Sequence, residues 1–383
     1  MMKAGINRRM VLALGTAALL AGCKVIPKGP VEPTRPPEDL PTDALPTDGQ
    51  RHRVALLVPM SGPNGAIGQS IANATTMALL DTNAANLRIT TYDTAGGAGP
   101  AASKAIADGN RLILGPLDAS EVPAVASVAR PARVPLIAYA SDPAVAARDV
   151  FILGTVPAQS IERSVTQARG GGRLRYSALV PQGDYGQRAS AAYAAAVKAA
   201  GGTLVATETY DRTNTSVISA ARRVMTRGKA DAVLVADGAR IAALAAPQLK
   251  ARTGSPLILG TELWNGESLI SSTPALRGAW YSAVADARFA QFAESYRTRF
   301  GAAPYRAATM GYDSVLLTLR VARGWRPGSA FPTQVLGDRG GFLGLDGPFR
   351  FGANGVIERA LEVRQVRAGG FTVVSPAPAK FAD

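Results

Sequence analysis

From Arg53 onward the chain alternates short apolar runs with longer segments of helical spacing. VALLVP at 54–59 is an unbroken apolar, β-branched run and predicts a strand buried on both faces. Ile67, Ile71, Ala74, Ala78 and Leu79 then recur on one side of 66–81 and predict a helix. The same reading predicts strands at 87–92, 111–114, 134–139 and 151–155, with helices over 101–107 and 121–130 and another from Pro157. After a break at Gly170-Gly171-Gly172 the alternation restarts, with strands at 176–180, 204–209, 232–236 and 256–260 and alanine-rich helices between them.

Repeated strand–helix alternation predicts an α/β protein of parallel sheets with helices on both faces. The elements are too many for one sheet, so two lobes are expected. Two long helices over 288–299 and 305–323 close the pattern. GFLGLDGPFRFGANGVIERALEVRQV then alternates with period two, turning at Gly352-Ala353-Asn354-Gly355 as a hairpin would. The expected body is 51–383, with lobe 1 at about 51–172 plus 286–383 and lobe 2 at about 173–285.

The residues ahead of this body have a different character. Lys3, Arg8 and Arg9 precede a short apolar stretch, Met10 to Ala21. It is too short to span roughly 30 Å of hydrocarbon and reads as an export signal over 1–22. Leu20-Ala21-Gly22-Cys23 looks like a lipobox, which makes Cys23 the expected lipidation site and membrane anchor. The paired arginines also permit twin-arginine export. Lys24 beside the lipid cysteine, rather than an aspartate, leans toward the outer membrane over the inner. Residues 24–50 hold seven prolines in 27 positions, so 23–50 reads as a lipidated cysteine with a proline-rich tether. Extended, the tether would reach roughly 80 Å.

Charge and composition narrow the chemistry. The chain has 42 Lys+Arg against 28 Asp+Glu, a net +14; three of these charges lie in the leader, so 14 less 3 leaves +11. The basic residues are scattered in ones and twos and read as a solvated face, suited to anionic cell-envelope surfaces rather than nucleic acid. One cysteine allows no internal disulfide. The single histidine, His52, lies between Arg51 and Arg53 and is expected to be a solvent-exposed passenger. No Ser-x-x-Lys or Gly-x-Ser-x-Gly occurs, so no catalytic residue is assigned. Clustered His, Cys or carboxylate ligands are also lacking, so no metal site is assigned. Gly97-Ala98-Gly99-Pro100 follows a strand and imitates a dinucleotide fingerprint, but Pro100 removes an amide and the third glycine is missing. No cofactor is expected, and a nucleotide-dependent enzyme is the disfavoured reading.

The stretch LILGPLDASEV at 112–122 is the best ligand candidate. Gly115-Pro116 ends a strand, and Asp118 or Ser120 is placed to cap the following helix, whose free amides attract an anion. Asp237 and Glu262 follow strands at the expected cleft and would suit a ligand ammonium, with Trp264 as an apolar wall. Asp118 itself would repel a carboxylate unless its charge is offset.

Four stretches carry a family resemblance: LLVPMSGPNGAIGQS at 56–70, LILGPLDASEV at 112–122, Asp184-Tyr185-Gly186, and GFLGLDGPFRFGANG at 341–355. The succession resembles the type I periplasmic binding-protein fold of the leucine/isoleucine/valine receptors, from about Arg53 to about Val374. The resemblance is closest to the penicillin-binding protein activator lipoproteins. It implies a two-lobed body in which Ser120 helps hold a ligand carboxylate, Ser141 matches a similar role at the opposite edge, and Tyr185 closes from the second lobe. It also implies a non-enzymatic regulator of peptidoglycan synthesis that docks on a penicillin-binding protein. The alternative is the receptor of an ABC permease for branched-chain or similar amino acids. Activators of this kind resemble two domains, with a helical-repeat region where this chain has only its tether.

Overall fold

The computed structural model describes residues 48–251 and 254–381. The leader, Cys23, Lys24 and the proline-rich tether lie outside the described residues. The first lobe is built on a wholly parallel sheet of β1 (His52–Val58), β2 (Leu87–Asp93), β3 (Leu112–Leu114), β4 (Leu136–Ala138) and β5 (Val150–Ile152), in the order β2-β1-β3-β4-β5. Its central strands are apolar on both faces because helices cover both. These are α1 (Gly65–Asp81), α2 (Ala98–Ala107) and α3 (Val122–Ala129). Leu56, Leu57, Ile113, Leu114, Leu136 and Ile137 are fully buried, each contributing on the order of 2 kcal/mol from burial.

The second lobe carries the next five parallel strands, β6 (Arg175–Pro181), β7 (Thr203–Tyr210), β8 (Ala232–Val235), β9 (Leu257–Leu259) and β10 (Trp280–Ala283). Its helices are α4 (Pro157–Gly170), α5 (Asp184–Ala199), α6 (Ser216–Thr226), α7 (Ala239–Leu249) and the short α8 (Ser268–Ser272). Strand periodicity divides its core in two: Ala232 and Leu234 pack toward α4 and α5, while Val233 and Val235 pack toward α6 and α7.

The chain returns to the first lobe with α9 (Ala287–Phe300) and α10 (Ala308–Ala322). An antiparallel sheet of β11 (Phe342–Gly344), β12 (Gly347–Phe351) and β13 (Ile357–Arg359) follows, with the expected turn at 352–355. Phe342, Phe349, Phe351 and Ile357 enter the first lobe's core. The last two strands, β14 (Glu362–Arg367) and β15 (Gly370–Ser375), pair antiparallel with β10 and extend the second lobe's sheet. The sequence division grouped these strands, and α4, with the first lobe. Their hydrogen bonds and buried faces lie in the second.

The chain crosses between lobes three times, at 153–156, 284–286 and 360–361. Side chains tie the crossings together. Arg359 donates to the Leu153 carbonyl at 3.0 Å, and Arg364 donates to the Val284 carbonyl at 2.8 Å.

His52 is not the exposed passenger expected. It is 3 % exposed, and its ring stacks on Trp325 at 4.3 Å between centroids. In a strand its side chain points away from Arg53 and toward the face of Val54. Burial holds its pKa below the ordinary value. Gly97 stands at the start of α2 with φ of 120°, and Pro100 lies in the helix's first turn.

Candidate ligand cleft between the lobes

The candidate site lies where the C-terminal ends of both sets of parallel strands meet, the usual ligand position in open α/β sheets. In the first lobe, Gly115 turns the chain after β3 with φ of 101°, and a Cβ there would lie 2.2 Å from the Leu57 carbonyl oxygen. Only glycine fits so close to a neighbouring strand. The turn delivers Asp118, whose Oδ1 accepts the Ser120 backbone N–H at 3.1 Å and the Ser120 hydroxyl at 2.9 Å. The donors expected to hold a ligand carboxylate are thus taken by a carboxylate of the chain itself. Ser141 is exposed on the loop after β4. Its neighbour Asp142 accepts the Ala144 N–H at 2.9 Å.

In the second lobe, Gly186 lets α5 begin directly against β6, since a Cβ there would lie 1.6 Å from the Pro181 carbonyl oxygen. That geometry places Tyr185 in the first turn of α5 with its hydroxyl turned inward. Tyr185 Oη lies 3.3 Å from Thr261 Oγ1 and 3.2 Å from Glu262 Oε1, donating toward both. The Arg212 guanidinium sits over the Tyr185 ring at 5.0 Å. Glu262 Oε2 is closed off from solvent and has no hydrogen-bond partner. Burial pushes the Glu262 carboxyl up to about 7, against the opposing effect of its own N–H and of Tyr185. Burial, then the Glu262 charge, raises the Tyr185 phenol as well.

Arg188 of α5 reaches across to Asp142 of the first lobe at 3.4 Å, so the structure brings the two rims together. Tyr185 and Glu262 stand together as a polar pair on the second-lobe wall.

Two expected site residues have other duties. Asp237 is 7 % exposed. Its Oδ2 accepts from Tyr210 Oη and Arg212 Nε, each at 2.8 Å, and its Oδ1 accepts the Gly238 N–H at 2.8 Å. It positions Arg212 and leaves little for a ligand. Trp264 is 1 % exposed and donates to the Asp237 carbonyl at 2.8 Å. Its indole packs under Gly260 and beside Tyr281 in the second lobe's core, so it is not a cleft wall. Arg188, Arg212 and Thr261 were not anticipated from sequence. Each follows a strand's C-terminal end in the second lobe, the one pattern that would have flagged them. Among the described residues no group of three or more His, Cys, Asp or Glu side chains is placed to hold a metal.

A family model described as periplasmic binding protein matches residues 52–370, which spans both sheets and every loop of this cleft. The chain belongs to the periplasmic binding protein family. As a type I periplasmic binding protein it shares its fold with solved receptors. A Rhodospirillum rubrum protein assigned as a branched-chain amino acid ABC transporter superposes with a TM-score of 0.76 at 21 % identity, covering 85 % of this chain and all of that one. The substrate binding protein LivJ of Streptococcus pneumoniae, solved with isoleucine, gives a TM-score of 0.60 at 19 % identity, with 85 % and 100 % covered. An uncharacterised protein of Rickettsia prowazekii is 27 % identical over 139 residues, 36 % of this chain. The chain spans 37 % of that curated relative's length.

Proposed function

We propose that this periplasmic binding protein is a non-enzymatic solute receptor working outside the cytoplasm, closing its two lobes on a small ligand and presenting it to an ABC permease. One observation carries the reading: Glu262 is held by Tyr185 on one oxygen while its other oxygen is shielded from water and unpartnered. A buried carboxylate without a partner is costly. A ligand amine seated on Oε2 would supply the missing hydrogen bond and countercharge. The transport roles given to the Rhodospirillum and Streptococcus proteins support this reading. The lipobox at Cys23 and the tether fit a receptor held at a membrane surface.

A thermal-shift screen of small solutes against the full-length protein tests the proposal. A ligand that binds only the folded state raises the melting temperature. The expected result is a rise of several degrees that Glu262→Ala abolishes; a screen of amines and amino acids with no rise would count against the receptor.

One observation favours the docking regulator of a penicillin-binding protein instead. Asp118 already occupies the Ser120 donors, and a domain that recognises another protein does not need them free. Salt-sensitive retention on an immobilised bifunctional penicillin-binding protein, with no solute response, would establish that second reading.

A further inference from the structure

Three successive loops on the first lobe's cleft rim are each closed by their own aspartate. Asp93 Oδ1, at the end of β2, accepts the N–H groups of Met60 at 2.8 Å and Ala95 at 2.9 Å. Asp118, after β3, accepts both donors of Ser120. Asp142, after β4, accepts the Ala144 N–H. Glu121 stands beside Asp118, its carboxyl raised by burial and then by the Asp118 charge. No lysine, arginine or histidine occurs in the rim segments 59–64, 93–97, 115–121 and 139–147. Among the described residues, Asp142 is the one rim aspartate answered by a cation, Arg188 from the opposite lobe. Across the cleft, Arg212 is committed to Asp237, and Glu262 Oε2 is buried without a partner.

We infer that the cleft takes a small organic cation lacking a carboxylate, of the primary amine, diamine or amino-acid amide class. The inference rests on the receptor reading and deepens it. A carboxylate entering at the first lobe meets amides already satisfied and a rim of negative charge. An ammonium meets uncompensated carboxylates on both lobes: Asp118 and Glu121 on one, Glu262 on the other. An ammonium would add charge-assisted hydrogen bonds to the exposed Asp118 and would offset the burial that raises Glu121 and Glu262.

Leucine and leucinamide share an amine and a side chain and differ in the group that Asp118 would oppose. Calorimetric titration of the full-length protein with these two and with 1,4-diaminobutane is the test. Leucinamide and the diamine are expected to bind, with leucinamide at least tenfold tighter than leucine. Asp118→Asn keeps an oxygen to cap Ser120 but removes the charge, so it should bring the two affinities together. Leucine binding as tightly as leucinamide would overturn the inference while leaving a solute receptor. An affinity ratio that Asp118→Asn does not move would also overturn it. Failure of leucinamide and the diamine to bind would overturn the inference, whereas the receptor reading stands or falls on the wider thermal-shift screen.

Discussion

The Arg188 guanidinium lies 3.4 Å from the Asp142 carboxylate, joining α5 of the second lobe to the loop after β4 of the first. Both side chains are partly exposed, so the pair is screened by salt and adds little to overall stability. Its effect falls on the balance between open and closed lobes. Arg188→Ala should leave the melting temperature within about 2 °C of the parent, on the premise that exposed pairs contribute under about 1 kcal/mol. Small-angle scattering of the ligand-free protein should show a larger radius of gyration. An unchanged radius would mean that the pair does not hold the rims together.

Arg364 is the strongest electrostatic junction near the crossings. It is fully buried, with Glu362 and Asp286 each at 2.7 Å and Asn265 at 2.8 Å. Asp286 is in turn bound by Arg306, which also holds Asp346. The chain of charges runs from β14 through the second crossing into the first lobe. Arg364→Met keeps the bulk but leaves Glu362 and Asp286 without their shared cation. Losing one partner of a buried pair costs about 3–5 kcal/mol, and chemical denaturation should show a loss of that order. A loss under about 1 kcal/mol would mean that solvent replaces the guanidinium freely.

Asp313 on α10 is fully buried, and burial followed by the nearby Asp346 charge pushes its carboxyl up to about 7. Arg359 and the N–H groups of Leu345 and Asp346 oppose that shift. A carboxyl raised in the folded state binds more protons there than in the unfolded chain between about 3.8 and about 7. Its contribution to stability is therefore fully present below the unfolded value and is lost as pH rises through the folded one. Glu262 acts in the same direction between about 4.5 and about 7. His52, held below 6.5 by burial, acts in the opposite direction beneath that value. Comparing Asp313→Asn with the parent isolates one group. The variant should gain relative stability as pH rises from about 4 to about 7 and then level off, with a slope no steeper than about 1.4 kcal/mol per pH unit. A pH-independent difference would show that Asp313 titrates normally.

His52 and Trp325 tie the start of β1 to the segment after α10 by a ring stack at 4.3 Å. His52→Ala removes a buried ring and leaves Trp325 facing a void, so stability should fall by about 2–3 kcal/mol. His52→Phe keeps the stack and should recover most of it. Equal losses in the two variants would place the cost elsewhere.

Much of this architecture is legible in local pattern. The strands of both parallel sheets except β10, together with α9, α10 and the turn at 352–355, lie where apolar periodicity and glycine put them; the WYSA run at 280–283 is too short and mixed to stand out as a strand. What local pattern misses depends on partners distant in sequence. The period-two stretch at 362–375 reads as strand, but nothing in it says that β14 joins β10 rather than the first lobe. Asp237 reads as a cleft acid until Arg212 and Tyr210 are seen upon it. Trp264 follows its strand like a wall residue, yet it fills the space that Gly260 leaves open in the core. The charged neighbours of His52 suggest an exposed side chain, but strand alternation turns it inward beside Val54. In the site, Asp118 was recognised as an obstacle to a carboxylate, and its hold on both Ser120 donors gives that obstacle a geometry.

The most direct test of the central claim is mass spectrometry of the protein isolated from its own cells under non-denaturing conditions. The account predicts a bound small molecule at up to one per chain, released on denaturation and absent from Glu262→Ala. Protein that carries no small molecule in either form, yet comes away with a cell-wall synthase, would contradict it.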